Sequence, residues 1–197
     1  ARDMYAASVA NPDLTTQIVP PPHLMACEKH LMDLIADGFI GEVVNVNIRV
    51  TDGSSYPDSD IEVHWRQMRE LSGNNVMTTG IWYENLMRLI GAASSVSANA
   101  QIVVPYRRGW DGNRCSMTIP DQLDVIYSLA GGGSVNMSVT TVSGSFVPPT
   151  EIWIFGTEGT LRIESNGLDV DPKVTGARKG DRAMSVIVVL DEKRGGG

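Results

Sequence analysis

Basic residues are scarce in this sequence relative to acidic ones. The chain has 16 Lys and Arg against 23 Asp and Glu, which gives a formal net charge of −7. Nucleic acids and anionic membrane surfaces bind basic patches, so this charge argues against both as partners. The sequence also lacks an apolar run near the roughly 18 residues that a membrane-spanning helix needs. We therefore expect neither a nucleic acid nor a membrane as a partner.

Cysteine and histidine are also rare. Cys27 and Cys115 lie far apart and have no neighbouring metal ligands, which predicts two free thiols in a reducing compartment. The N-terminus shows no signal-peptide pattern, so we expect a cytoplasmic protein. The histidines, His23, His30 and His64, are not spaced as ligands on neighbouring helical turns would be. The sequence therefore predicts no metal site.

Glycine-rich nucleotide-binding motifs are absent from the sequence. No G-x-G-x-x-G segment follows a strand and opens a helix, and no P-loop is present. The run Gly131–Gly133 has strand-like sequence on both sides, in DVIYSLAGGGSVNMSVTT, so it predicts a hairpin turn. This chain by itself therefore shows no dinucleotide-binding fingerprint.

The sequence does contain an α+β pattern. The segment HLMACEKHLMDLIADG (23–38) has apolar residues at helical spacing and ends in glycine. VVNVNIRVTDG (43–53) alternates apolar and polar residues as a half-buried strand does, and a second helix begins within GNNVMTTGIWYEN (73–85). The second half is rich in strands joined by tight turns. We predict an α+β fold with helices on one face of a large, open, mostly antiparallel sheet.

The two ends of the sequence suggest an excised fragment. The opening residues ARDMYAASVANPD begin without Met and predict the last part of a helix. LTTQIVPPP (14–22) then predicts a short strand that leads into a stiff proline connector. The end, DEKRGGG, follows a strand-like segment abruptly.

Several motifs, taken in order, resemble one known family. They are GFIGEV (38–43), HWR (64–66), GNNVMTTGIWYEN (73–85), TIPD before an alternating strand (118–121) and IFGTEGTL (154–161). In this order and at these separations they resemble the glucose–fructose oxidoreductase / inositol dehydrogenase (Gfo/Idh/MocA) family, over residues 3 to 164. The resemblance implies that residues 1–22 are the last helix and strand of an N-terminal Rossmann domain. Residues 23–197 would be the C-terminal substrate-binding and oligomerisation domain.

The resemblance also implies a reaction. The family transfers hydride between NAD or NADP and a sugar, inositol or similar polyol, assisted by an Asp and a His four residues apart. A substrate hydroxyl must lose its proton as its carbon loses hydride, and a tuned histidine can accept that proton. The family's glycine-rich loop and catalytic lysine would lie upstream of residue 1. We thus expect a sugar or polyol partner and an NAD or NADP cofactor, but no activity from this chain alone.

The helix within residues 73–85 departs from the family pattern. When the sequence is aligned on Gly80, the family's Asp, His and second Asp positions are Thr78, Trp82 and Asn85. At about 100° per residue these positions lie on one stripe of the helix. Three ionisable groups are thus replaced by neutral ones on a stripe that is otherwise kept. Thr78 and Trp82 are the altered catalytic positions.

Two interpretations of this stripe are open. Trp82 could fill the hydrophobic core, as a large apolar side chain does. Alternatively the helix lines a ligand cleft, with Trp82 stacked on a sugar or nicotinamide ring and with Thr78 and Asn85 forming hydrogen bonds. Under the second interpretation Asn85 is a substrate-binding residue.

Three further residues are candidates for substrate binding. His64 and Arg66 belong to the loop before the helix, and His64 is a candidate replacement base. His23 follows Pro21 and Pro22 in the connector, where the family has residues close to the nicotinamide. An exposed histidine without a catalytic role is the plainer interpretation of His64.

The sequence leaves two classes of function open. One is the substrate domain of an NAD(P)-dependent sugar or polyol oxidoreductase, and the other is a non-catalytic homologue that acts as a ligand-binding or assembly domain. The missing Asp and His favour the second class, whereas fold resemblance alone does not establish the first. In both cases we expect a homodimer or higher homo-oligomer, because a sheet covered by helices on one face has a second face to bury.

Overall fold

The fold consists of helices followed by a strand-rich second half. A computed structural model describes residues 2–17, 27–51, 56–73, 79–144, 149–165 and 172–187. The helices are α1 (Arg2–Ala10), α2 (Glu28–Ala36), α3 (Arg69–Ser72) and α4 (Thr79–Ile90), and a 3-10 turn spans Trp65–Gln67. The strands are β1 (Val43–Thr51), β2 (Ala93–Gln101), β3 (Tyr106–Arg108), β4 (Arg114–Ser116), β5 (Gln122–Leu129), β6 (Ser134–Thr140), β7 (Thr150–Gly156), β8 (Gly159–Ser165), β9 (Lys173–Arg178) and β10 (Ser185–Val186).

Eight of the strands form one sheet in the order β10-β9-β8-β7-β1-β6-β5-β2. Neighbouring strands are antiparallel except β1 and β6, which run parallel. At the centre of the sheet, Ile48 of β1 lies opposite Met137 of β6 and Ile152 of β7. Strands β3 and β4 pair separately as a small hairpin.

One face of the sheet packs against α2 and α4. Alternate residues of β1 point into this layer, and Val46, Ile48 and Val50 are at most 3% exposed. Leu31 of α2 and Leu86 of α4 are fully buried in the same cluster. Strand alternation and helical spacing both place apolar side chains on this side, so the core forms here. The prediction of an α+β fold, with helices on one face of a large and mostly antiparallel sheet, is confirmed.

The turn before β1 packs closely on the turn between β7 and β8. The Glu158 N–H donates to the Ile40 carbonyl at 2.8 Å, and the Thr157 N–H donates to the Glu42 carbonyl at 3.0 Å. Gly156 lies so near the Ile40 carbonyl that a Cβ atom there would overlap it. The motifs GFIGEV and IFGTEGTL therefore form one contact, which requires glycine at its closest point.

The predicted hairpin at Gly131–Gly133 connects β5 to β6. Gly132 and Gly133 have φ values of 98° and 87°, in the left-handed region that favours glycine. The glycine run is thus a turn between antiparallel strands.

Several sequence-based boundaries differ from the structure. Residues 14–17 are not a strand, and the remainder of the strand predicted for residues 14–22 lies outside the described residues. The segment predicted as a loop before α4 contains the 3-10 turn and α3. Strands β3 and β4 were not predicted, because three residues are too few to show an alternating pattern. Strand β9 was not predicted either, because Gly176 interrupts its alternation of side chains.

Helix α1 has no buried residue. Its assignment, together with the residues up to 22, to a separate N-terminal domain stays a prediction. In the part of the chain that the structure describes, no helix is long and apolar enough to cross a membrane.

Candidate functional site

Helix α4 places Trp82, Asn85 and Leu89 on one face, as helical spacing predicts. All three side chains point into the layer between the helices and the sheet, and their exposed fractions are 3%, 0% and 6%. Thr78, the remaining member of the predicted stripe, lies outside the described residues. The spacing of the stripe therefore holds for its two described members, Trp82 and Asn85, and Leu89 shares their face.

Trp82 belongs to the buried hydrophobic cluster that joins α2 and α4 to the sheet. Because its side chain is only 3% exposed, its ring has no free face on which a sugar or nicotinamide could stack. This burial favours the interpretation of Trp82 as a core residue. The comparison of position 82 with a catalytic histidine stays a prediction.

The amide of Asn85 is oriented by Arg88. The Nη2 atom of Arg88 donates to the Asn85 Oδ1 atom at 2.8 Å. Because arginine has donors and no acceptor, the oxygen end of the amide must be the end that faces it. The Asn85 Nδ2 atom is buried and has no hydrogen-bond partner among the described residues. Asn85 therefore presents a buried hydrogen-bond donor, and its alignment with a carboxylate of the family stays a prediction.

Arg88 is held in turn by two carboxylates. It forms ion pairs with Glu28 of α2 at 2.8 Å and with Glu84 of its own helix at 2.6 Å. The hydrogen bond to Glu28 raises the pKa of Arg88 above its usual value, against the opposing effect of burial. Sequence reasoning missed this contact because Glu28 and Arg88 are 60 residues apart and neither belongs to a recognisable motif.

His64 and Arg66 lie on the exposed 3-10 turn. The His64 Nδ1 atom accepts a hydrogen bond from the Arg66 backbone N–H at 3.3 Å. The backbone N–H of His64 donates to the Gln67 Oε1 atom at 2.9 Å. The Arg66 guanidinium lies 4.4 Å from the centre of the Trp65 ring. These contacts make His64 the N-terminal cap of the turn.

The cap fixes the protonation pattern of the His64 ring. A neutral imidazole has one acceptor nitrogen and one donor nitrogen, and here Nδ1 is the acceptor. The proton of the neutral ring therefore resides on Nε2, which is a hydrogen-bond donor in this state. While Nδ1 accepts this bond, the Nε2 N–H is the ring atom that can donate to a ligand, and the role of His64 as a replacement base stays a prediction.

The predicted site residues thus fall into separate groups. Trp82 and Asn85 share a buried face of α4, whereas His64 and Arg66 share an exposed turn. His23 lies outside the described residues, so its predicted role remains a prediction. Among the residues that the structure describes, no group of three or more His, Cys, Asp or Glu side chains is arranged to hold a metal ion.

NAD and NADP do not fit the glycine run at residues 131–133. Their diphosphate binds where a glycine-rich loop joins a strand to the N-terminus of a helix. The run Gly131–Gly133 instead joins two antiparallel strands. This run is therefore not a dinucleotide cradle, and we derive no chemical step through the cofactor.

The second face of the sheet has a different character from the core. No described helix covers it, and we call it the open face. Its side chains combine amides, hydroxyls, both charge signs and aromatic rings. They include Asn47, Arg49, Asp124, Ile126, Asn136, Ser138, Glu151, Trp153, Phe155, Arg162 and Glu164. A groove of about 400 Å³ crosses its central strands.

Glu151 organises the charged part of the open face. Its carboxylate accepts from Arg162 at 2.6 Å and from Arg49 at 3.0 Å, and its Oε1 atom also accepts from the Trp153 indole N–H at 3.0 Å. Burial raises the pKa of Glu151, but hydrogen bonds from Arg162 and Trp153 and the charges of Arg162 and Arg49 outweigh burial and lower it below the usual value. The ring of Phe155 stacks on Trp153 with centroids 5.6 Å apart. This surface is preorganised by contacts within one chain.

Sequence reasoning missed the open-face residues. The signal was present in EIWIFG, because alternation with the buried Ile152 and Ile154 places Glu151, Trp153 and Phe155 together on the opposite face. Alternation does not reveal which residues of other strands complete the surface, since that depends on strand order.

The family whose pattern matches this chain is described as the GFO/IDH/MocA C-terminal domain, and the match covers residues 29–162. That range runs from α2 to the middle of β8 and includes both the altered stripe of α4 and the central strands of the sheet. The chain belongs to the GFO/IDH/MocA family. The resemblance inferred from the order of the motifs is confirmed.

One curated relative within the GFO/IDH/MocA family is the D-xylose 1-dehydrogenase [NADP(+)] of Haloarcula marismortui. It is 30% identical over 155 residues, which cover 77% of this chain and 40% of the relative. The chain therefore spans less than half the length of the curated enzyme that it matches.

Solved structures agree on the GFO/IDH/MocA fold. Levoglucosan dehydrogenase in complex with NADH and L-sorbose matches 83% of this chain and 44% of its own, with a TM-score of 0.71 and 18% identity. A super-repressor mutant of Gal80p from Saccharomyces cerevisiae matches 95% of this chain and 52% of its own, with a TM-score of 0.64 and 20% identity. At these identities the likeness shows the fold and not the function.

Proposed function

We propose that the chain is the substrate-binding and oligomerisation domain of an NAD(P)-dependent sugar or polyol oxidoreductase. The main support is the family match over residues 29–162, which includes α4 and the central strands. The GFO/IDH/MocA chain has no dinucleotide cradle among its described residues, so NAD or NADP would be bound by another part of the protein. The chain alone is not expected to be active, and a cytoplasmic location is part of the same proposal.

A small polyhydroxylated molecule is the substrate class that we propose. The names of two similar proteins mention D-xylose and L-sorbose, both of which are sugars. Hydroxyl and carbonyl oxygens of such molecules accept hydrogen bonds, and the Nε2 atom of the exposed His64 is a donor. Asn85 Nδ2 is a donor on the separate, buried face of α4, so its proposed role requires that a ligand reach that face. Arg66 would add a further donor, and roles for Thr78 and His23 remain part of the proposal.

The open face is the proposed oligomerisation surface. Eight strands spaced about 4.8 Å apart and about 20 Å long give a face of roughly 700 Å² per copy. Two such faces together reach the total of about 1,200 Å² or more that stable interfaces bury. Arg49 and Arg162 stand beside Glu151 and Glu164, so two copies can meet without a surplus of like charges.

A non-catalytic ligand-binding or assembly domain is the alternative function. In the alignment inferred from the sequence, two positions with ionisable groups in the family are the neutral Trp82 and Asn85, and both of these residues are buried. A protein that can neither donate nor accept a proton at these positions lacks the usual assistance to hydride transfer. The similarity to Gal80p, which is named as a repressor, supports this alternative at the level of the fold.

Cofactor titration and turnover distinguish the two functions. The full-length gene product would be titrated with NAD and with NADP by calorimetry and then assayed with D-xylose and a panel of other sugars and polyols. Reduction of the cofactor by any of these sugars supports the oxidoreductase. Cofactor binding without turnover on the whole panel contradicts it and supports the non-catalytic alternative.

A single exposed position tests the open face. Asn136 lies on the central strand β6, is exposed and donates to the Asn47 amide oxygen at 3.0 Å. Asn136→Arg would place a long charged side chain in the middle of the proposed interface and halve the mass measured by light scattering. Asn136→Ser is the matched control and should keep the mass of the unmodified protein. An unchanged mass for Asn136→Arg contradicts the assignment of this face.

A further inference from the structure

Strand β2 forms one edge of the eight-stranded sheet, and its outer side is unpaired in the described residues. Its nine residues, ASSVSANAQ, pair on the inner side with β5. Every residue from 94 to 101 is exposed, and the Val96 side chain is 68% exposed. An unpaired edge of this length presents a row of backbone N–H and C=O groups that can pair with another strand.

The two edges of the sheet differ in how they are protected. In the described residues, the opposite edge strand, β10, has two residues, and a short edge is one of the devices that limits pairing with other chains. Strand β2 has no charged residue, no proline and only one register irregularity, which is near its start between Ala93 and Ser95. From residue 95 to residue 101 it is a regular, uncharged edge.

A second copy of β2 fits this edge by symmetry. A two-fold axis perpendicular to the sheet keeps each side chain on its own face. Because opposed residues of an antiparallel pair share a face, the axis must relate one residue to the same residue of the second copy, and it cannot lie level with the peptide bond between two successive residues. The only such axis that pairs the whole of Ala93–Gln101 with itself passes through Ser97. In this register Val96 faces Ala98 of the second copy, and Ser95 faces its Asn99.

The side chains match on both faces in that register. Val96 and Ala98 lie opposite Tyr127 and Val125 of β5, on the helix-covered face of the sheet. The pair of apolar residues from each copy would therefore extend that apolar face across the junction. Ser95, Ser97 and Asn99 lie on the open face, where polar side chains would meet polar side chains.

Charge does not oppose a second copy at this edge, although it does over most of the surface. Each chain has a net charge of −7, so most approaches of two copies are repulsive. The sequence ASSVSANAQ contributes no charge, and directly opposed like charges are what destabilises cross-strand pairs. We infer that β2 pairs antiparallel with β2 of a second copy of the chain, with Ser97 on the two-fold axis.

This edge contact goes beyond the open-face contact proposed above and is independent of it. The edge axis is perpendicular to the sheet, whereas an axis that brings two open faces together lies parallel to the sheet. A chain with both contacts forms a tetramer with perpendicular two-fold axes. A chain with the edge contact alone forms a dimer.

Charge substitutions at Ser97 test the edge contact. Ser97→Lys and Ser97→Glu each place two like charges directly opposite each other at the axis, and either variant should halve the mass measured by light scattering at tens of micromolar. A mixture of the two variants should recover the original mass, because the charges are then opposite. Ser97→Thr is the matched control and should keep the original mass.

The outcomes separate the edge contact from the open-face contact. A change from tetramer to dimer, or from dimer to monomer, with recovery in the mixture supports edge pairing. A wild-type dimer that Ser97→Lys converts to monomer supports the edge while contradicting the open-face interface. A wild-type monomer, unchanged masses for both charged variants, or failure of the mixture to recover the mass overturns the inference.

A disulfide at the axis tests the register. In a Cys115→Ser background, Ser97→Cys should form a disulfide-linked dimer under mild oxidation, because a residue on the axis faces its own copy within reach of such a bond. Ser95→Cys alone should link at least tenfold less, whereas Ser95→Cys mixed with Asn99→Cys should link readily. Equal linking by Ser97→Cys and Ser95→Cys contradicts the register and with it the two-fold pairing.

Discussion

The backbone of Gly156 lies directly against the carbonyl oxygen of Ile40, at a distance that leaves no room for a side chain. Gly156 is the last residue of β7, and Ile40 lies in the turn that leads into β1. The same Ile40 carbonyl accepts the Glu158 N–H at 2.8 Å. The two turns are thus joined at the level of the backbone, and the glycine is a steric requirement of that junction.

Replacement of Gly156 by alanine should destabilise the fold. The new methyl group must displace the Ile40 carbonyl or the β7–β8 turn, and overpacking of this kind costs about 1 to 3 kcal/mol. Urea unfolding followed by circular dichroism would measure the loss. Gly131→Ala is the matched control, because a Cβ atom at Gly131 meets no atom within 4 Å. Equal stability of the two variants would contradict this account of the junction.

Much of the sheet could be predicted from the sequence, and the reasons are local. In β1 the residues Val46, Ile48 and Val50 alternate with polar ones, so the strand and its buried face follow from a single segment. The order of the strands could not be predicted, because the partners of β1 are distant in sequence. Paired residues lie 89 positions apart for β6 and 100 to 113 positions apart for β7. The parallel pairing of β1 with β6 is likewise invisible in any one segment.

Acid should weaken the structure partly through Glu151. The pKa of this carboxyl is lower in the folded protein than its ordinary value of 4.5, chiefly because Arg162 and Trp153 donate to it, although burial opposes them. A carboxyl whose pKa is lower in the folded than in the unfolded protein stabilises the fold at pH values above its pKa in the unfolded state. That stabilisation is lost as the pH falls through its pKa in the folded state. The stabilisation should therefore be complete near pH 7 and fall progressively from about pH 5 downward.

A comparison of Glu151→Gln with the unmodified protein would isolate this effect. The variant should lose about 1.5 kcal/mol of unfolding free energy at pH 7, since hydrogen bonds to charged groups contribute on that scale. The difference should shrink as the pH falls below the usual pKa of a glutamate and through the lower pKa of the folded state. Glu158→Gln is the control, because Glu158 is 49% exposed and its contact with Lys179 is 3.9 Å long. A stability difference for Glu151→Gln that is independent of pH would contradict this assignment.

The two cysteines should differ sharply in reactivity. Burial raises the pKa of the Cys27 thiol to about 12, helped by the nearby charge of Glu28 and opposed by a backbone hydrogen bond. The thiolate is the reactive form, so Cys27 should be inert toward a disulfide reagent at pH 8 in the folded protein. Cys115 is half-buried and serves as an internal control. One thiol per chain should react quickly, and the second only when urea unfolds the protein.

Mass spectrometry of the labelled protein would identify the fast thiol. Rapid labelling of Cys27 in the folded protein would show that α2 opens locally without global unfolding. Labelling of Cys27 at the rate of global unfolding would confirm that its burial belongs to the cooperative core.

The candidate site was only partly predictable, again for a physical reason. Helical spacing shows that Trp82, Asn85 and Leu89 share a face, but it does not show whether a sheet or a solvent cleft lies opposite that face. The sheet that covers them is built from strands that begin both before and after α4. The Glu28 carboxylate that holds Arg88, and through it Asn85, comes from another helix.

Restoring a histidine at position 82 should cost stability. Trp82 is 3% exposed within the core, so Trp82→His removes buried aromatic volume and introduces a polar ring. Large-to-small core substitutions cost about 3 to 5 kcal/mol, and we expect about 3 kcal/mol here by urea unfolding. Trp65→His is the matched control, because Trp65 is 43% exposed and its ring contacts the side chains of Arg66 and His64 on the surface. The loss of an exposed cation–π contact is on a scale of about 1 kcal/mol or less.

The size of the Trp82→His effect separates the two interpretations of the α4 stripe. A loss of unfolding free energy above about 2 kcal/mol is typical of a core residue. It favours the non-catalytic alternative, because position 82 would then face the core and not a cleft in which a histidine could act as a base. A loss within about 0.5 kcal/mol is the behaviour of a surface position and would show that the ring faces a cleft. In that case, a double change of Thr78→Asp and Trp82→His that produced sugar-dependent reduction of NAD or NADP would reveal a silenced acid–base site.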